Sequence, residues 1–211
     1  MGKYEKGILG SFSGKVGTVV GGSWRGIDYM RSKGRKSTKA ATEQQLIQQA
    51  KFKVVTQFVH RLGKLCMISF KNTPAMTGIN EAFRYNYENA LTGAYPTFAL
   101  DYSQTLVSRG DLQNGLLPTA TAAGAGAIDF AWQDNSGDTL AHADDKAVLV
   151  LYCPENKQAI WQIATATRST AAASLAAGNL VGKTVQSWIT FVAKNGNEFA
   201  SSIFTGELIV S

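Results

Sequence analysis

The stretch TVQSWITFVAKNGNEFASSIFTGELIV, residues 184–210, decides the fold class of this chain. It contains two runs rich in β-branched and aromatic residues, 184–194 and 198–210, with Asn195-Gly196 between them. Asn-Gly between two such runs is a strong short-range signal of a β-hairpin, because both residues tolerate positive φ. The sequence therefore predicts that the chain ends in two antiparallel strands.

Further strand-like runs precede this hairpin, and turn signals separate them. The predicted strands are residues 105–110, 126–133, 147–153, 158–164, 170–175, 184–194 and 198–210. About seven short strands in some 110 residues are typical of an immunoglobulin-like or fibronectin type III-like β-sandwich. The large side chains of Trp132, Trp161 and Trp188 are expected to fill its core.

Upstream of Pro96 the hydrophobic pattern is helical. Apolar residues at three- and four-residue steps predict a helix from about Thr42 to Ile68, with Thr42 and Gln45 as a capping box and Gly63 as a kink or break. The stripe consists of Ile47, Ala50, Val54, Phe58, Leu62 and Leu65. A shorter helix follows, and its apolar face carries Ile79, Phe83, Tyr87, Ala90 and Leu91.

The segment GSFSGKVGTVVGGSWRG, residues 10–26, contains six glycines and raises the question of a phosphate-binding loop. The P-loop pattern fails, because it needs glycine where Leu9 stands and a hydroxyl where Val16 stands. A second near match, residues 178–184, is one residue too short. Alternation on both sides of Gly21–Gly26 instead predicts a β-hairpin.

Together these patterns predict an α+β fold with two domains. Residues 1–96 would form a basic, glycine-rich β-hairpin arm with short helices. Residues 97–211 would form the C-terminal immunoglobulin/fibronectin III-like β-sandwich. The change from helical to strand-like periodicity near Pro96 sets this boundary.

The formal charge of +6 is distributed unevenly. Residues 1–92 carry 15 Lys and Arg against 5 Asp and Glu, whereas residues 93–211 carry 6 against 10. Only the first part, at net +10, would attract a polyanion. The candidate residues for contact with a partner or with nucleic acid are Trp24, Arg25, Tyr29, Arg31, Lys33, Arg35, Lys36 and Lys39.

The sequence offers little for catalysis, so we expect no enzyme, no cofactor, no metal and no small-molecule substrate. His60 and His142 lie in different predicted domains and are expected at the surface. Cys66 and Cys153 have neither disulfide nor metal spacing and are expected to be small buried apolar residues. The acidic residues of loop 134–145 lack the ligand order of an EF-hand. Without an export signal or a membrane-spanning run, the expected location is a virion or the bacterial cytoplasm.

Several stretches, among them GILGSFSGKVGTVVGGSWRGIDYMRS, TEQQLIQQAKF, DKAVLVLY and FVAKNGNEF, resemble a bacterial family of about 210 residues whose function is unknown. The stretch RKSTKAATEQQLIQQAKF, residues 35–52, is also similar to an NPxTxxQxxxRxxF stretch of phage and prophage structural proteins. The second resemblance implies a non-catalytic virion component that docks on protein partners, or on further copies of itself, through its N-terminal half. The alternative is a nucleic-acid-binding protein that uses the basic half. A third reading, a carbohydrate- or surface-binding module, would place the site on the sandwich.

Overall fold

A computed structural model describes residues 2–3, 12–24, 26–35, 38–70 and 76–211 of the chain. The chain divides into two compact units, Met1–Thr42 and Glu43–Ser211. The change of periodicity near Pro96 predicts a boundary there instead. The contacts described below give the reason for the difference, because the helices and the C-terminal strands share a core.

The first unit contains a four-stranded antiparallel sheet in the order β1-β4-β3-β2. Its strands are β1 (Gly2–Lys3), β2 (Gly14–Val16), β3 (Val19–Trp24) and β4 (Ile27–Ser32). The predicted hairpin is present, but Gly21 and Gly22 belong to β3 and the connection is only positions 25 and 26. Gly21 is needed for close approach, because a Cβ there would collide with the carbonyl of Phe12.

The second unit begins with helices. They are α1 (Glu43–Arg61), α2 (Gly63–Ser69) and α3 (Gly78–Asn89), and a short hairpin of β5 (Leu91–Ala94) and β6 (Thr97–Leu100) follows them. The predicted break at Gly63 is confirmed, since α2 starts there. The Thr77 hydroxyl accepts a hydrogen bond from the Asn80 amide and caps α3.

Seven strands complete the second unit in two antiparallel sheets. They are β7 (Leu116–Gly124), β8 (Ala127–Gln133), β9 (Lys146–Cys153), β10 (Gln158–Thr167), β11 (Ala172–Ala176), β12 (Thr184–Val192) and β13 (Ile203–Ile209). One sheet has the order β11-β8-β7, and the other has the order β10-β9-β12-β13. The predicted α+β class with mostly antiparallel strands is confirmed.

Six of the seven predicted strands are present, whereas residues 105–110 form no strand and β7 had been missed. Side chains bind the amides of that segment, since the amide of Leu106 donates to Asn86 Oδ1 and that of Val107 to Ser202 Oγ. The sequence of β7, LLPTATAAG, has a weak alternation and includes Pro118. It pairs only with β8, and proline is tolerated on such an edge strand.

Both faces of the four-stranded sheet β10-β9-β12-β13 are covered. On one face, Leu149 and Leu151 of β9 join a core with Ile128 and Phe130 of the three-stranded sheet. The other face packs against the helices, where the Phe58 ring lies 5.0 Å from Tyr152 and 6.0 Å from Trp188 between ring centroids. Burial on both faces explains the unbroken apolar run AVLVLYC of β9.

The tryptophan prediction is confirmed for Trp132 and Trp188, which are buried, while Trp161 is only half-buried. The indole Nε1 of Trp132 donates to the carbonyl of Arg168 over 2.8 Å. Arg168 itself is fully buried and bonds Asp145 Oδ2, Asn135 Oδ1 and the carbonyl of Gln113. This cluster ties the loop after β8 to the end of β10.

Candidate functional site

Strand pairing in the N-terminal sheet brings three of the predicted contact residues to one face. Trp24 lies opposite Ile27, and Val20 lies opposite Arg31. Tyr29 lies between these two pairs, opposite Gly22. Because paired residues share a face and side chains alternate along a strand, Trp24, Tyr29 and Arg31 occupy the same face. We call this the basic face.

Two residues of the basic face were missing from the predicted set. Lys15 of β2 lies opposite Val20, so it belongs to the same row as Arg31. Ile27 lies opposite Trp24 with 45% of its surface exposed, against 50% for Trp24. Strand alternation would have indicated Ile27, since it shares the parity of Tyr29 and Arg31.

The glycine in the middle of this face shapes its surface. A Cβ built on Gly22 would lie 3.1 Å from the Tyr29 hydroxyl oxygen, so the ring of Tyr29 covers the position where a side chain would project. The face carries an exposed apolar pair at one end and two cations at the other. Both features are typical of surfaces that other molecules cover.

Of the remaining predicted contact residues, three lie after the sheet in the chain and two lie outside the described residues. Lys33 and Arg35 are exposed just after β4, where the Lys33 amide still donates to the Thr18 carbonyl over 2.8 Å. Lys39 is exposed further along the chain and lies outside the sheet. Arg25 and Lys36 lie outside the described residues. The structure therefore joins only part of the predicted set into one surface.

Charge is concentrated in this unit more sharply than the sequence split suggested. Residues 1–42 contain nine Lys and Arg against two Asp and Glu, whereas residues 43–211 contain 12 against 13. Asp28 pairs with Ser23, so it lies on the face opposite Arg31. The acidic residue of this hairpin therefore lies on the face opposite the cations Lys15 and Arg31.

Groups with catalytic potential are dispersed in the second unit. His60 and His142 are both exposed, as predicted. Cys66 and Cys153 are free and buried, as predicted, and burial raises the pKa of the Cys66 thiol to about 12. The acidic residues of loop 134–145 have separate partners: Asp134 accepts from Ser136, Asp144 pairs with Lys194, and Asp145 pairs with Arg168. No group of three or more metal-binding side chains occurs among the described residues.

Fold and surface together define a β-rich α+β protein that presents a basic sheet. The chain belongs to the family of unknown function DUF6266, which matches residues 11–206. The resemblance drawn from the sequence is thereby confirmed. A comparison with curated proteins gives no match. Within the described part of the chain, the helices are too short or too polar to cross a bilayer.

Proposed function

We propose that this protein is a non-catalytic structural or assembly protein, a component of a phage or prophage particle, and that its basic face docks on a partner subunit or on another copy of the chain. The observation that carries the proposal is that the described residues of the first unit form no buried core. Gly21 is the one buried residue among those of 1–42 whose burial is described.

A sheet without a core needs another surface to be stable. Small sheets are marginal in water unless a hydrophobic face is packed against something. The exposed pair Trp24 and Ile27 offers an apolar anchor, and aromatic anchors supply much of the energy of protein interfaces. Lys15 and Arg31 add charge that steers an acidic partner.

The second unit supports the same proposal through its strand order. Counting β7 as the first of seven strands, one sheet holds strands five, two and one, and the other holds four, three, six and seven. In a constant-type immunoglobulin domain the fourth strand lies beside the fifth, and strands three, six and seven form the second sheet. When the fourth strand lies beside the third instead of the fifth, the order is the one seen here. We therefore propose an immunoglobulin/fibronectin III-like sandwich with helices added on one face. Domains of this class are frequent in surface-exposed proteins, and this fold analogy is an argument about architecture only.

Nucleic-acid binding is the second candidate, and one observation favours it. The basic face combines Tyr29 and Trp24 with Lys15 and Arg31 on a flat sheet. Binding of single strands uses this pairing of stacking rings with cations along the backbone. The described unit contains no helix to enter a groove, so double-stranded DNA would be held through its phosphates only.

Assembly is tested by replacing Trp24 and Ile27 with serine in the full chain. Both side chains are about half exposed. With the fold of the variant checked by far-UV circular dichroism, we expect self-association measured by light scattering to weaken. The matched control replaces Leu116 and Leu117 with serine, since both are exposed apolar residues of the edge strand β7 in the other unit. Equal association of the wild type and of both variants would refute docking of further copies through this face.

The nucleic-acid alternative is tested with a separate variant of the full chain. Neutralising Arg31, Lys33, Arg35, Lys36 and Lys39 with glutamine removes up to five phosphate contacts, each worth a slope of roughly 0.9 in log affinity against log salt on duplex DNA. We expect weak DNA binding, with Kd about 10⁻⁴ to 10⁻⁶ M at physiological salt, together with altered association. Sub-micromolar DNA binding under these conditions with an unchanged oligomeric state would favour the nucleic-acid function.

A further inference from the structure

A second surface, unrelated to the basic face, lies in the unit of residues 43–211. It is a cleft of about 320 Å³ beside the first turns of α3. Its lining includes Phe70, Glu81, Arg84, Arg109, Asp111 and Ser201. We call it the α3 cleft. Its volume lies at the lower end of the range of about 300–1,000 Å³ for small-molecule pockets.

A buried carboxylate holds two arginines at this cleft. The side chain of Glu81 is only 6% exposed, and its Oε1 accepts from Arg84 Nη2 over 2.8 Å and from Arg109 Nη1 over 3.1 Å. The Arg109 guanidinium also stands over the ring of Tyr85, 5.5 Å from its centroid. Both arginines therefore have fixed positions although their side chains are half exposed.

The hydrogen bonds of this cluster are incomplete. Glu81 Oε2 is buried and has no hydrogen-bond partner among the described residues. Each arginine directs a single nitrogen to Glu81, and a guanidinium has five N–H donors. The buried Arg168 is different, because three of its nitrogens reach protein acceptors. A purely structural ion pair at this depth would be expected to satisfy its own oxygens.

Among the described residues that line the cleft, positive and negative side chains are equal in number. Arg84 and Arg109 supply two positive groups, while Glu81 and the exposed Asp111 supply two negative ones. A dianion such as phosphate would gain from the arginines but would be repelled by both carboxylates. A ligand that carries one negative and one positive group close together matches this arrangement.

We propose that the α3 cleft binds a small zwitterion, namely an α-amino acid or a molecule with the same ammonium and carboxylate head group. The ligand carboxylate accepts from the N–H groups of Arg84 and Arg109 that are not directed to Glu81. The ammonium group is held by Asp111 and, after a small shift of the surrounding groups, by Glu81 Oε2. The Phe70 ring provides an apolar wall for the side chain of the ligand. Selectivity for a zwitterion follows, because a ligand without one of the two groups leaves charges of the cleft unpaired.

The experiment titrates the full chain with the twenty L-amino acids by calorimetry and by NMR. For each amino acid that binds, two matched fragments are titrated: the same carbon skeleton without the amino group and the same skeleton without the carboxylate. Inorganic phosphate is the third comparison. We expect saturable binding of at least one amino acid at millimolar concentration or below, and weaker binding of both fragments by about tenfold or more.

Three variants connect the binding to the cleft. Arg84→Met and Arg109→Met change half-exposed side chains, so they keep the fold, and each should weaken binding by about 10- to 100-fold. Arg61→Met, at the exposed end of α1, is the matched control and should leave the affinity unchanged. The proposal is overturned if no amino acid binds up to about 10 mM, if phosphate or the carboxylate fragment binds as tightly as the amino acid, or if Arg61→Met has the same effect as the cleft variants.

Discussion

Replacement of Phe58 by alanine tests whether the helices and the C-terminal strands form one cooperative unit. Phe58 is 1% exposed, and its ring lies within 6.2 Å of the rings of Tyr102, Tyr152 and Trp188, measured between centroids. Loss of a buried phenylalanine side chain costs about 3–5 kcal/mol of unfolding free energy, through lost transfer energy and the cavity left behind. Typical domains have only about 5–15 kcal/mol in total, so the effect is large.

We expect this loss to appear in the strands as well as in the helices. In a domain of 150–250 residues each kcal/mol corresponds to about 2–4 °C, so the Tm should fall by roughly 6–20 °C. Urea unfolding is followed by far-UV circular dichroism and by the fluorescence of a Trp24→Phe background, whose remaining tryptophans all lie in the second unit and include Trp132 and Trp188 in its two cores. The transitions of the two signals should coincide and shift together, with an unchanged dependence on urea.

The control variant is Phe52→Ala on the same helix. Its side chain is 56% exposed, although its ring contacts that of Phe83 at 4.7 Å between centroids, so we expect a loss below about 1 kcal/mol. If the tryptophan transition of Phe58→Ala stayed at the wild-type position while the helical signal was lost, the strands would fold independently. The domain boundary after Pro96 would then be the better description.

Three further substitutions test single contacts in the second unit. Arg168→Met leaves Asp145 buried without its cation, so the free energy of unfolding measured in urea should fall by about 3–5 kcal/mol; an unchanged midpoint would refute this. Asn86→Ala removes two donated bonds and one accepted bond that hold Leu106 and Ala82, and should cost about 1–3 kcal/mol, whereas the exposed Asn89→Ala should cost less than about 0.5 kcal/mol. Burial raises the pKa of Tyr102 to about 12, above its unfolded value. The neutral Tyr102 hydroxyl therefore contributes stability that is complete below pH 10 and is lost as the pH rises towards 12. Tyr102→Phe should therefore flatten the decline of stability between pH 10 and pH 12, and an unchanged decline would contradict this assignment.

Residue pattern predicts the parts of this fold that depend on local periodicity. The alternation in 127–133 and the apolar run 147–153 identify β8 and β9, since each is determined by which of its own faces is buried. The pattern fails for β7, where threonine and alanine of an edge strand give little contrast. It also fails on the buried face of α3, because Glu81 and Asn86 are polar residues that are buried through long-range hydrogen bonds.

The candidate surfaces were predictable to different degrees. Alternation alone relates Tyr29 to Arg31, but placing Trp24 on their face requires the short connection at positions 25 and 26, which the glycine-rich segment had hidden. The α3 cleft could not be predicted, because Glu81 and Arg109 are 28 positions apart. They meet only because the segment after β6 returns to α3, where Asn86 binds Leu106.

Because α1 covers the sheet β10-β9-β12-β13, its position in the chain also affects the order of folding events during synthesis. Phe58 leaves the ribosome 130 residues before Trp188, the residue it packs against. At a synthesis rate of about 5–20 residues per second, Trp188 is added roughly 7–26 s after Phe58. Until then the apolar side of α1 lacks this partner strand. Closure of so long a loop slows folding, and an exposed apolar helix is a substrate for chaperones. We therefore expect a chaperone that acts on the unfinished chain to bind it through this helix.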